Sequence, residues 1–274
     1  MNTTEEHVST NSTMCGCNYA TSLTVALVSN SINLILGCPT NGYVLWLIFR
    51  GAGGTLASEF FTLNLTVNEI LSCVYNVAMI IWIKRQSLVF LIIMSFFSGF
   101  LTVGRPLFQT CICLERYLAV VHPVVFLRYK PLRYRLACSA LVWMFVIVLS
   151  AFVEMSLSFI WFFSVLYLVV LLVHLFCCLS VLRALKRPGP GEGEREGSSD
   201  FKRRAFKIIL LILIAMLVTY LPFTITSLVQ DVLCVNCFFF AFNICVSITT
   251  VCGCILPLLY LYRVGKCPCL NLVF

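Results

Sequence analysis

Charge is the scarcest ingredient of this sequence. Charged residues make up 11% of its 274 positions and hydrophobic residues 61%. A soluble domain carries about a quarter charged residues, so a fully hydrated surface cannot be assembled from this composition. Aspartate is nearly missing. Asp200 and Asp231 are the only two, and both fall outside the long apolar runs, which excludes an intramembrane aspartyl dyad. The three histidines, His7, His122 and His174, form no HExxH pair, which excludes a zinc-protease helix. No enzyme is expected, and no metal or cofactor. Residues 1–22 hold no apolar h-region, so the first apolar run is expected to act as its own uncleaved insertion signal.

What the sequence does have is long apolar runs. They reach about 20 residues or more, enough to cross a hydrocarbon core about 30 Å thick at about 1.5 Å per helical residue. Spans are expected near 23–49, 60–83, 87–118, 136–156, 159–183, 206–230 and 238–262. The fold class is therefore an all-α membrane protein, a bundle of seven transmembrane helices over residues 23–262. Residues 1–22 form an N-terminal segment, 263–274 a short tail, and about 188–204 a flexible loop whose core reads PGPGEGEREGSSD.

Orientation follows from lysine and arginine. With the N-terminus outside, all of the 19 basic residues except Lys84, Arg85 and Arg105 fall at cytoplasmic ends or loops. The net charge of +8 is thus a topology signal, with no need of nucleic acid as a partner; lipid is the partner that composition demands. Two sequons, at Asn2 and Asn11, lie in the segment placed outside and are candidate glycosylation sites. Most of the 16 cysteines sit in spans, where cysteine behaves as a small hydrophobe. Cys15, Cys17, Cys234 and Cys237 fall on the oxidising side, where a bridge from the N-terminal segment to the third outer loop, local bridges and free thiols are all open.

Charges inside the membrane are expensive and mark function. Counted from the cytoplasmic ends of their spans, Glu69 and Asn41 lie about 14 Å deep and Arg105 about 16 Å. A carboxylate, a guanidinium and an amide are thus expected at one depth on three neighbouring helices. A Glu69–Arg105 pair offsets much of the burial cost; it could either lock the bundle or take part in a switch. Glu115-Arg116-Tyr117 closes the third span, where Arg116 can pair with Glu115 or reach a cytoplasmic partner, or simply snorkel to the interface. Pro222 and Pro257 each remove a backbone hydrogen bond from the sixth and seventh spans.

In order along the chain, these features make a pattern. TNGYV at Asn41 and Val44, NLTVNE from Asn64 to Glu69, Glu115-Arg116-Tyr117, Trp143, Tyr220-Leu221-Pro222 and Leu256-Pro257-Leu258-Leu259-Tyr260 resemble the helix motifs of rhodopsin-like (class A) G-protein-coupled receptors. VVHP after the third span, with YLP in the sixth, is nearest the purinergic, protease-activated and hydroxycarboxylic-acid receptor branch. The resemblance implies a plasma-membrane receptor that passes an extracellular ligand signal to a heterotrimeric G protein. Helix six would swing about Pro222, and the G protein would insert beside Arg116, with Glu115, Tyr117, Tyr220, Pro257 and Tyr260 in the switch. Candidate pocket residues, by resemblance, are Asn76, Ser98, Ser227 and Asn243. Ser98 stands where amine receptors carry Asp, so an amine ligand is not expected. No lysine lies between Phe238 and Tyr262, so retinal is excluded. Cys267 and Cys269, beside Arg263 and Lys266, are candidate palmitoylation sites.

The departures are equally specific. Lys202, Arg203 and Arg204 stand where some relatives carry an acid that clamps the helix-three arginine. Relatives bind sodium with the helix-two acid and a helix-three serine, but Arg105 holds that serine position, so its guanidinium would replace the ion. The expected cysteine near Leu91 is missing, and little chain remains for a second outer loop. No proline lies between Pro131 and Pro188, so the helix-five proline is absent. These departures keep open a receptor-like, non-signalling or truncated protein. A small transporter or channel fits less well, because seven spans do not divide into equal halves.

Overall fold

The computed structural model describes residues 19–129, 131–152, 159–186, 196–230 and 232–265. Seven of its helices are long and apolar enough to cross a membrane: α1 (Ala20–Phe49), α2 (Phe60–Arg85), α3 (Leu88–Val121), α4 (Leu132–Ala151), α5 (Trp161–Lys186), α6 (Phe206–Leu228) and α7 (Val235–Arg263). A short helix, Pro123–Tyr129, follows α3. Large apolar side chains such as Ile35, Leu141, Met144 and Phe176 face outward. That pattern suits a lipid solvent, in which backbone polar groups must be satisfied within each helix.

The helix ends depart from expectation where basic residues allow it. α4 begins at Leu132, so Arg133 and Arg135 lie in its first turn; long basic side chains let a helix start before its apolar run. The helix containing α6 starts at Glu196, so residues 196–204, expected as loop, are helical. Past Gly197 the sequence there holds no helix breaker. The stretch expected to hold a shortened second outer loop includes 153–158, which lie outside the described residues.

Proline shapes the interior. Two π-turns, Asn33–Gly37 in α1 and Phe100–Gly104 in α3, directly precede Cys38-Pro39 and Arg105-Pro106. Proline has no N–H and its ring crowds the carbonyl four residues back, which a widened turn relieves. In α3 that carbonyl belongs to Thr102, and it accepts a 2.7 Å hydrogen bond from the Tyr167 hydroxyl of α5. α7 is broken at Gly253-Cys254, again four residues before a proline, Pro257. α6 by contrast runs through Pro222 as continuous helix. α3 is central: it packs against α2, α4 and α5, while α7 packs against α1 and α6.

Candidate functional site

The deepest charges meet at the bundle centre. Glu69 of α2 is 3% exposed and Arg105 of α3 is 1% exposed. Arg105 Nε donates to Glu69 Oε1 at 2.6 Å and Nη2 to Oε2 at 2.5 Å. The third nitrogen, Nη1, donates to the Thr249 carbonyl of α7. Both carboxylate oxygens and three helices are thus tied by one guanidinium, a bidentate geometry that a lysine could not reproduce. Gly253 makes room for it. A Cβ at that position would lie 2.5 Å from Arg105 Nη2 and 3.0 Å from Glu69 Oε2, so only glycine lets α7 pass this close. Both oxygens of Glu69 are thus engaged by Arg105.

Asn33, in the π-turn of α1, extends this centre. Its amide donates to the Thr250 carbonyl of α7 at 2.7 Å, and its oxygen accepts from Asn76 of α2 at 2.9 Å. Elsewhere in the core, Tyr220 of α6 donates to Gln109 Oε1 of α3 at 2.5 Å. Its ring packs against Tyr167 and His174 of α5. Near the other end of α2, Trp143 Nε1 of α4 donates to Asn64 Oδ1 at 2.8 Å.

At the Arg116 end lies a second set of charges. Glu115 pairs with Arg135 of α4 at 2.5 Å rather than with its neighbour Arg116, and Arg135 also donates to the Ala57 carbonyl. Glu59, 1% exposed just before α2, accepts from Arg263 of α7 at 2.7 Å. Arg116 is exposed and forms no hydrogen bond or ion pair among the described residues; Arg263, Glu115, Glu59 and Arg135 act on it at longer range. It borders an apolar cleft lined also by Gln109, Ile112, Val181, Ile212 and Leu256, from helices α3, α5, α6 and α7. Tyr117 shares a 3.0 Å hydrogen bond with His122.

A family model for the seven-transmembrane receptors of the rhodopsin family matches residues 40–159. A purinergic receptor of Gallus gallus, purinoceptor 8, is 28% identical over 137 residues, 47% of this chain and 38% of that protein. The human S-geranylgeranyl-glutathione receptor is 27% identical over 130 residues, 44% and 36% of the two chains. Human proteinase-activated receptor 3 is 28% identical over 116 residues, 40% and 30%. Over residues 40–159, somewhat under half of its length, the chain is similar to the rhodopsin-like receptor family. The aligned part spans only about a third of the length of these curated relatives. They include purinergic and protease-activated receptors, the branch that the VVHP and YLP motifs indicate.

Within the bundle the residues singled out from sequence are not all brought together. Glu69 and Arg105 meet. Asn41 does not join them: its amide donates to the Gly37 carbonyl of its own helix at 2.8 Å. Equal depth fixes height along a helix but leaves its azimuth open, and the π-turn before Pro39 rotates α1 so that Asn33 is the residue reaching α7. Ser98 and Ser227 spend their hydroxyls on the Ser95 and Phe223 carbonyls of their own helices, and Asn243 is half-buried. No hydrogen bond joins any of these pocket candidates to another among the described residues. Tyr260 is buried and its hydroxyl has no partner among them. Asn2, Asn11, Cys15, Cys17, Cys267 and Cys269 lie outside the described residues, as do the side chains of Lys202, Arg203 and Arg204. Cys234 and Cys237 stand at the start of α7. Sequence reasoning missed Glu59, Gln109 and Asn33. For Asn33 a signal existed: a polar residue six positions before an intramembrane proline, where the backbone must widen.

Proposed function

We propose that this receptor sits in the plasma membrane with its N-terminus outside and passes an extracellular ligand signal to a heterotrimeric G protein. The observation that carries this is the apolar cleft at the Arg116 end, bordered by an arginine whose neighbouring acid is engaged by Arg135. Such a cleft suits an inserting helix, with Arg116 as its polar contact and α6 as the movable wall. One relative is named a receptor for S-geranylgeranyl-glutathione. Lys84 and Arg85, exposed at the far end of α2, would suit an acidic ligand of that kind. The test is basal second-messenger output in cells, comparing the parent with Arg116→Ala at equal surface expression across a panel of G proteins. Loss of output with Arg116→Ala is expected. Output that survives the substitution would overturn the role of Arg116. A second reading is a binding-only receptor, favoured by Leu256, which lines the cleft where relatives carry the asparagine of the helix-seven motif. Silence across the panel, with ligand bound, would favour that second reading.

A further inference from the structure

Between α1 and α2 the chain turns through residues 51–59, and two neighbouring helices hold this turn by charge. Arg135 of α4 donates to the Ala57 carbonyl, and Arg263 of α7 pairs with Glu59 at 2.7 Å. Glu59 is buried although it lies outside the spans, and its second oxygen, Oε2, has no partner among the described residues. The Tyr260 hydroxyl, also buried, has none either. The two groups share one neighbour. A Cβ on Gly53 would lie 2.5 Å from the Tyr260 hydroxyl and 3.3 Å from Glu59 Oε1, so the missing side chain is what admits both.

We propose that Glu59 is a latch acid, one that holds the last turns of α7 against the turn before α2. A buried carboxylate with one engaged oxygen and one unpartnered oxygen is poised between two arrangements. It can keep Arg263, or it can take the Tyr260 hydroxyl when α7 shifts by a few ångströms. The latch does not involve α6, so it acts where a clamp between the third and sixth helices has no acid to use. Three arginines, Arg116, Arg135 and Arg263, converge on two acids, Glu59 and Glu115. Holding Arg263 on Glu59 and Arg135 on Glu115 leaves Arg116 as the cation without a carboxylate.

The effect on signalling rests on the receptor reading; the latch itself does not, and the experiment separates them. The full chain and three variants, Glu59→Gln, Arg263→Gln and Gly53→Ala, are placed in lipid nanodiscs and in cells. Gly53→Ala keeps every charge and only crowds the latch. Backbone hydrogen exchange over residues 255–264 reads the latch, and basal second-messenger output reads coupling. Faster exchange over that stretch in all three variants is expected, with basal output rising on the order of fivefold, as loss of one ion pair shifts a two-state equilibrium. Unchanged exchange in Glu59→Gln and Gly53→Ala overturns the latch, whatever the output. Faster exchange with no output from any G protein supports the latch and overturns the receptor reading instead.

Discussion

Removing one side of the central pair should cost far more than removing both, and the two sides should not be equal. Arg105 makes all its contacts inside the bundle, two to Glu69 and one to the Thr249 carbonyl. Breaking a buried ion pair by deleting one partner costs about 3–5 kcal/mol, while replacing both by apolar residues of similar volume is often near neutral. At about 1.36 kcal/mol per factor of ten, the single loss is roughly two to three and a half orders of magnitude in the folded equilibrium. The asymmetry comes from chemistry. A carboxyl group left alone can take a proton and lose its charge, whereas guanidinium cannot release one inside a protein. Glu69→Leu therefore strands a permanent cation and is expected to be the worst variant. Arg105→Met should be milder, and Glu69→Leu/Arg105→Met should recover most of the loss. The assay is thermal unfolding of the purified chain in nanodiscs, followed by a thiol-reactive dye; Cys73, Cys113, Cys177, Cys178 and Cys245 are buried and report opening. A double variant no more stable than Glu69→Leu, or Arg105→Met as the least stable of the three, would refute the reasoning.

Gly253→Ala should destabilise the fold by about 1–3 kcal/mol by overpacking the guanidinium, while Gly42→Ala, whose Cβ meets nothing within 4 Å, should leave the same melting curve unchanged or slightly raised. Tyr167→Phe keeps the ring contacts with Tyr220 and Phe223 but withdraws the donor from Thr102, and should lower stability by about 1 kcal/mol. Replacing sodium by a large organic cation should leave melting temperature and basal output unaltered in the parent chain, because Arg105 already satisfies Glu69; a sodium-dependent shift in either would count against the internal guanidinium.

The seven spans were legible because length and apolarity are local properties, set by the thickness of the bilayer. The Glu69–Arg105 meeting was legible for a related reason: a charge at mid-membrane has so few tolerable environments that two opposite charges at one depth nearly dictate each other. Asn41 shows where depth counting fails. Rotation about the helix axis depends on backbone events such as the π-turn at Asn33–Gly37, which Pro39 hints at but residue spacing does not locate. Glu59, Arg135 and Arg263 were illegible for a different reason. Each lies at a helix end among several basic residues, and which arginine takes which acid is settled by how the 51–59 turn folds, a matter of tertiary geometry with no periodic signature. The extension of helix six to Glu196 was missed because the glycines and prolines before it dominate the composition of the whole segment.

The distribution of polar contacts divides the bundle into a part that resists motion and a part that does not. α2, α3 and α7 share the guanidinium, and α1 joins them through Asn33 to Asn76 and Thr250. Sliding any of these past another would separate a charge from its partners in an apolar medium. α5 and α6 take no part in that central pair. Among the described residues their polar ties to α3 are the Tyr167–Thr102 and Tyr220–Gln109 hydrogen bonds and a Cys113–Cys178 thiol contact, beside apolar packing around Tyr167, Leu171, Met216 and Phe223. Moving α6 outward breaks neutral hydrogen bonds, Tyr220–Gln109 to α3 and Thr226–Cys245 to α7, at about 1 kcal/mol each, and leaves the Glu69–Arg105 pair intact. It also widens the cleft beside Arg116, since Ile209, Ile212 and Met216 form its wall. The central pair, which first looks like a device that freezes the molecule, thus confines the freedom that remains to α6. That helix is the one whose displacement the proposed function requires.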